Sequence, residues 1–158
     1  MFRTMIAAAC LMGGTAWAHD DPQIVDATDP ARLVPIVAAY GSAELTTDAN
    51  GDPMIDASVG DLRYAIFFDD CTDNVDCAGL TFTTGWEWDG VTPEQIDAWN
   101  ESRRYLTAYL DDEGDPIVRM SVNLFGGVTP TNLSDTVDWW QVMTSGFITY
   151  LDEQTAGE

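Results

Sequence analysis

One kind of turn occurs twice in this 158-residue chain, and it restricts the architecture more than any other feature. D-x-x-G-D-P stands at Asp48 to Pro53 and again at Asp111 to Pro116. In each copy glycine supplies the positive φ of a tight reversal, and proline, which has no amide to donate, suits the first residue of the next strand. Period-two alternation flanks both turns. Ala43, Leu45 and Thr47 precede the first, and Ile55, Ala57 and Val59 follow it. Leu106, Ala108 and Leu110 precede the second, and Val118, Met120, Val122 and Leu124 follow it. Such alternation turns one strand face to a core, so each copy reads as a β-hairpin. A helix comes before each hairpin. The first starts at Thr28 or Asp29 with Pro30 in the first helical position, turns Leu33, Val34, Val37 and Ala38 inward, and stops at Gly41. Pro35 in its middle predicts an irregular first turn. The second opens on the capping box Thr92-Pro93-Glu94-Gln95 and runs to about Arg104.

Between these two helix-hairpin units, Leu62, Tyr64, Ile66 and Phe68, then Leu80, Phe82 and Trp86, predict another hairpin. A last helix from Thr129-Pro130 places Leu133, Val137, Trp140, Thr144, Phe147 and Leu151 on one core-facing stripe. The predicted order is α-β-β-β-β-α-β-β-α, an α+β fold in which helices flank an antiparallel sheet. High acidity alone is compatible with disorder, but 46% apolar residues and six tryptophans argue for a packed core. The chain divides into a signal peptide over 1–18, an N-terminal extension over 19–28, one domain over 29–152 and an acidic tail over 153–158.

The signal peptide is read from one charge at Arg3, an uncharged run from Thr4 to Thr15, and Ala16-Trp17-Ala18 as an A-x-A cleavage site. The apolar run falls short of the roughly 20 residues that a bilayer crossing needs. Lipid attachment at Cys10 is rejected, because too little apolar sequence precedes it and Ala7 stands where such sites want Leu. The expectation is an exported, periplasmic protein with no membrane insertion. Cleavage removes Arg3 and no acid, leaving five arginines, no lysine and 27 acids, a net charge of −22. So negative a surface repels phosphate backbones and anionic lipid headgroups, which excludes nucleic acid as a partner.

Little else in the sequence spells out chemistry. Cys71 and Cys77 are the only cysteines left after cleavage, and export favours a disulfide between them. Their C-x5-C spacing among Asp69, Asp70, Asp73 and Asp76 does not suit a redox pair, which is usually C-x-x-C with a cation nearby. His19, the only histidine, becomes the mature N-terminus, where copper chelation would normally recruit a second histidine. With one His and no cysteine cluster, no metal or other cofactor is expected. No internal histidine serves as base for a nucleophile, and no G-x-S-x-G or Gly-rich phosphate loop occurs. Neither D-x-x-G-D-P copy has the EF-hand pattern. The expectation is therefore no enzyme, although a pair of carboxylates among so many acids stays open as a hydrolase alternative.

Five tryptophans of the domain form a possible stacking set, of which core positions account for Trp99 and Trp140; Trp88 and Trp139 are less explained. Trp139 and Val142 lie to one side of the main helical stripe, beside Thr149 and Tyr150. Trp139, Val142 and Trp88 are the candidate contacts for another protein or a second copy; the alternative is that Trp139 extends the core.

Ile96-Asp97-Ala98-Trp99-Asn100, Arg103-Arg104-Tyr105 and Ala108 to Pro116 together resemble the signature of the YbjN family. The early D-x-x-G-D-P, the strand ending in Cys71, the strand after Cys77 and Asn123 to Val128 agree with it, so that the resemblance covers roughly Ala31 to Phe147. Asp97 departs from the family, whose members often carry Asn there. The resemblance implies a fold similar to the type III secretion chaperones and a role in sensory transduction or stress regulation, and it brings no catalytic residues. Trp99, Asn100, Arg103, Gly114, Asp115 and Pro116 are its structural signature, with Asn100 and Arg103 expected to hydrogen-bond the neighbouring hairpin. The reading is a non-enzymatic, chaperone-like or regulatory protein-binding module of the bacterial envelope, with a purely structural envelope protein as a further alternative.

Overall fold

A computed structural model of the protein describes residues 24–155. The expected signal peptide, Cys10, His19 and residues 156–158 of the tail lie outside the described residues. Three helices, α1 (Pro30–Ala38), α2 (Pro93–Ser102) and α3 (Pro130–Thr155), and six strands, β1 (Ser42–Thr47), β2 (Pro53–Val59), β3 (Leu62–Asp69), β4 (Gly79–Gly85), β5 (Thr107–Leu110) and β6 (Pro116–Asn123), follow one another in the order α-β-β-β-β-α-β-β-α. The strands form one antiparallel sheet in the order β1-β2-β3-β4-β6-β5. The two helix-hairpin units thus sit at opposite edges, with the β3–β4 hairpin between them.

The two D-x-x-G-D-P turns are built alike, which explains why the sequence repeats. Asp48 N–H donates to the Asp52 carbonyl, and Asp48 Oδ1 accepts from the amides of Asn50 and Asp52. Asp111 makes the same bonds to Asp115 and to the amides of Glu113 and Asp115. Gly51 and Gly114 have φ of 92° and 89°, a region that other residues enter only at a cost. Desolvation pushes the Asp48 carboxyl pKa up, but the amides of Asn50, Asp52 and Gly51 and the Asn50 side chain outweigh it and hold it below the usual carboxylate value. Each turn also holds a segment distant in sequence through the second aspartate of its motif. Asp52 accepts from Asn74 Nδ2, and Asp115 accepts from the Trp88 amide.

One sheet face carries the core. Ile55, Ala57, Tyr64, Ile66, Phe68, Leu80, Phe82, Ala108, Val118 and Met120 are buried there, and the α3 stripe from Leu133 to Leu151 is buried along its whole length. Trp140 lies over Tyr64 and Phe82 with ring centroids 5.8 and 5.7 Å away, and Phe147 meets the edge of Trp99 at 5.0 Å. Aromatic pairs in these geometries add to the burial of apolar area. In α1, Leu33 and Val37 are buried and Val34 half-buried, but Ala38 is exposed; Ile36 packs against the core instead. The helix is nine residues long with Pro35 inside it, and an Arg32 amide bond to Asp29 tightens its first turn.

Cys71 and Cys77 are joined in a disulfide. Asp70, Asp73, Asn74 and Asp76 in and beside this loop all have positive φ, which Asn and Asp tolerate better than other non-glycine residues. Asn74 Nδ2 donates to the Asn50 carbonyl and to Asp52 Oδ1, so the loop grips the β1–β2 turn.

Candidate groove beside strand β6

The features that interrupt the regular sheet meet at one place, beside β6. Strand β5 pairs with β6 only over Pro116 to Arg119, because the chain before Thr107 turns away. That turn is a γ-turn: Leu106 N–H bonds the Arg104 carbonyl, and the residue between them, Tyr105, has φ of 70°. An aromatic side chain in this region of φ is strained. The turn throws the Tyr105 ring outward, where it is 70% exposed and 6.1 Å from the Trp139 ring on α3. Tyr105, Met120, Ser121, Val122, Asn123, Thr136 and Trp139 together line a groove of 390 Å³. None of them carries a charge, on a chain whose net charge is −21.

Trp139 is 47% exposed, and Val142, one helical turn on, is 57% exposed outside the groove. Trp88 is elsewhere. It is half-buried against the core, and its amide is bound by Asp115. Tyr150, beside Trp139 on the sequence stripe, instead packs on Trp99 at 5.4 Å and donates to the Gln95 carbonyl. The structure therefore brings Trp139 to Tyr105, not to Trp88. Tyr105 was missed by sequence reasoning, since only a backbone turn that no local pattern announces sends its ring outward.

The signature residues build the neighbouring scaffold. Asn100 Nδ2 donates to the Ala108 carbonyl and Asn100 Oδ1 accepts the Ala108 amide, each at 2.9 Å, which caps the outer edge of β5. The Arg103 guanidinium lies 5.1 Å above the Trp99 ring, a cation–π contact. Gly114, Asp115 and Pro116 make the second turn.

The opposite sheet face holds a trough of 660 Å³ lined by Ser42, Glu44, Asp56, Ser58, Arg63 and Thr83 among others. Glu44 and Asp56 are cross-strand partners there, and both are exposed. Its mixed polar and charged lining is that of a solvated antiparallel face. Among the described residues no group of three His, Cys, Asp or Glu side chains is placed to hold a metal ion, and no helix is long and apolar enough to cross a membrane.

Residues 29–153 match the model of the YbjN family, described as "Putative bacterial sensory transduction regulator". No curated protein and no solved structure matches the chain.

Proposed function

This chain belongs to the YbjN family, and we propose that it is a non-enzymatic regulatory module that works in the periplasm by binding another protein through the Tyr105–Trp139 groove. The observation that carries this reading is an uncharged groove walled by two exposed aromatic rings on a chain of net charge −21. Exposed apolar surface lowers solubility, and Trp and Tyr are the side chains most enriched among binding hot spots. The regulatory description of the family agrees with a binding role. Export rests on the N-terminal signal features and the paired cysteines.

The test places a photo-crosslinking amino acid at Val142, beside the groove, in the full-length protein expressed in its own cells. A discrete adduct in the periplasmic fraction is expected, and Trp139→Ser should abolish it while changing stability by less than about 1 kcal/mol. An adduct unaffected by Trp139→Ser, or a Trp139→Ser protein destabilised by several kcal/mol, would refute the groove as the binding site. N-terminal sequencing of the same fraction should begin at His19; intact Met1 on the abundant soluble form would refute export.

A further inference from the structure

The groove has a wall that its side chains do not describe, the backbone of β6. The Pro116 carbonyl accepts from the Trp86 amide, Thr83 Oγ1 donates to the Val118 carbonyl, and the Leu124 amide donates to Ala78. Even-numbered positions of β6 thus aim their backbone groups toward β4, and strand alternation aims Ile117, Arg119, Ser121 and Asn123 the other way. Strand β5 meets Ile117 and Arg119 and then ends. Nothing among the described residues bonds the outward amides and carbonyls of Ser121 and Asn123, which open into the groove.

The other two edges of the sheet are protected. Asn100 occupies the outer edge of β5 at Ala108. The β1 edge carries Glu44 and packs beside α1, and a charged edge residue discourages pairing. Among the described residues, the open edge at Ser121 and Asn123 lies beside the exposed rings of Tyr105 and Trp139, and strained Tyr105 ends β5 there. Backbone strain of this kind persists where the surrounding structure enforces it and concentrates at functional positions.

We propose that β6 accepts an extended segment of the partner as an added strand, bonded to Ser121 and Asn123 in line with β5. This rests on the protein-binding reading of the groove and names the form of the ligand. Strand alternation specifies its composition. Met120 and Val122 point to the helix side, so partner residues opposite them project toward Trp139 and Thr136 and should be apolar. Residues opposite Ser121 and Asn123 project onto the polar face and should be Thr, Ser or similar. Asp135 and Asp138 flank Thr136 and Trp139 on α3, while Arg104 adjoins Tyr105; with a net charge of −21, the chain favours a segment flanked by Lys or Arg.

The probe is a synthetic decapeptide of alternating Val and Thr with two Lys at each end. Added to the intact protein, it should slow hydrogen exchange at the amides of Ser121 and Asn123 and leave Met120 and Val122, already paired with β4, unchanged. Ser121→Pro removes an outward donor without touching the ladder, as prolines at sheet edges do, and should weaken binding about tenfold or more, equivalent to at least about 1.4 kcal/mol. Should that variant fail to fold, N-methylation of the peptide on alternate amides reports the same bonds, with one of the two methylated registers expected to lose binding. Peptide binding that changes Trp139 fluorescence without protecting Ser121 and Asn123 would overturn strand addition and leave the groove as a side-chain site. No change at either place would overturn both readings.

Discussion

Asn100 offers the sharpest single test of how this fold is held together. Its carboxamide satisfies both backbone groups of Ala108, and Ala108 is 3% exposed, so water has little access to replace them. Asn100→Ala leaves a buried amide and a buried carbonyl without partners, at about 1–3 kcal/mol each. Some relaxation of the β5 edge lets water reach one of them, so the expected loss is about 2–4 kcal/mol. At about 2–4 °C per kcal/mol for a domain of this size, the melting temperature should fall by roughly 4–16 °C. Asn100→Asp sharpens the argument. Its ionised carboxylate still accepts the Ala108 amide but cannot donate to the carbonyl, and it sets charge against that oxygen. When protonated it can do both. The deficit of Asn100→Asp relative to wild type at the same pH should therefore shrink as pH falls from 7 to about 4. Urea unfolding followed by tryptophan fluorescence at both pH values measures it. A loss under about 1 kcal/mol for Asn100→Ala, or an Asn100→Asp deficit independent of pH, would refute the claim that these two bonds seal the sheet edge.

Burial pushes the Tyr64 phenol up to about 12 from an ordinary value of 10. Its contribution to stability is complete below pH 10 and lost as pH rises toward 12, by about 3 kcal/mol in all at roughly 1.4 kcal/mol per pKa unit. Urea unfolding between pH 9 and 11.5 should show this loss and Tyr64→Phe should reduce it; equal slopes in the two proteins would contradict the placement of Tyr64. Replacing Cys71 and Cys77 together by serine should cost about 2 kcal/mol, the contribution of closing so short a loop, and speed hydrogen exchange in the β1–β2 turn gripped by Asn74. Exchange in that turn identical to wild type would show that the loop does not brace it. A methyl group on Gly41 would run into the Ser58 carbonyl, so Gly41→Ala should destabilise the β1 edge by several kcal/mol. A thermal melt within about 2 °C of wild type would show that the backbone there yields easily.

Elements whose reasons are local were legible in the chain. The D-x-x-G-D-P turns announce themselves because Asp, Gly and Pro each do one job at a fixed offset. The capping box at Thr92 is present with both of its bonds. The α3 stripe follows from spacing alone, and all six of its positions are buried. Ala38 was misjudged because a nine-residue helix with Pro35 inside presents a narrow inner face, whose limits depend on what packs against it.

What the sequence determined by itself is the list and order of elements, the two repeated turns and the family, since these depend on neighbours within a few residues. The tertiary structure decided that β6 pairs with β4, that β5 covers only half of β6, and that Tyr105 meets Trp139 across 34 positions of chain. No periodicity encodes those outcomes. They come from where a sheet runs out of partner strand and from which rings are left outside when the core is full.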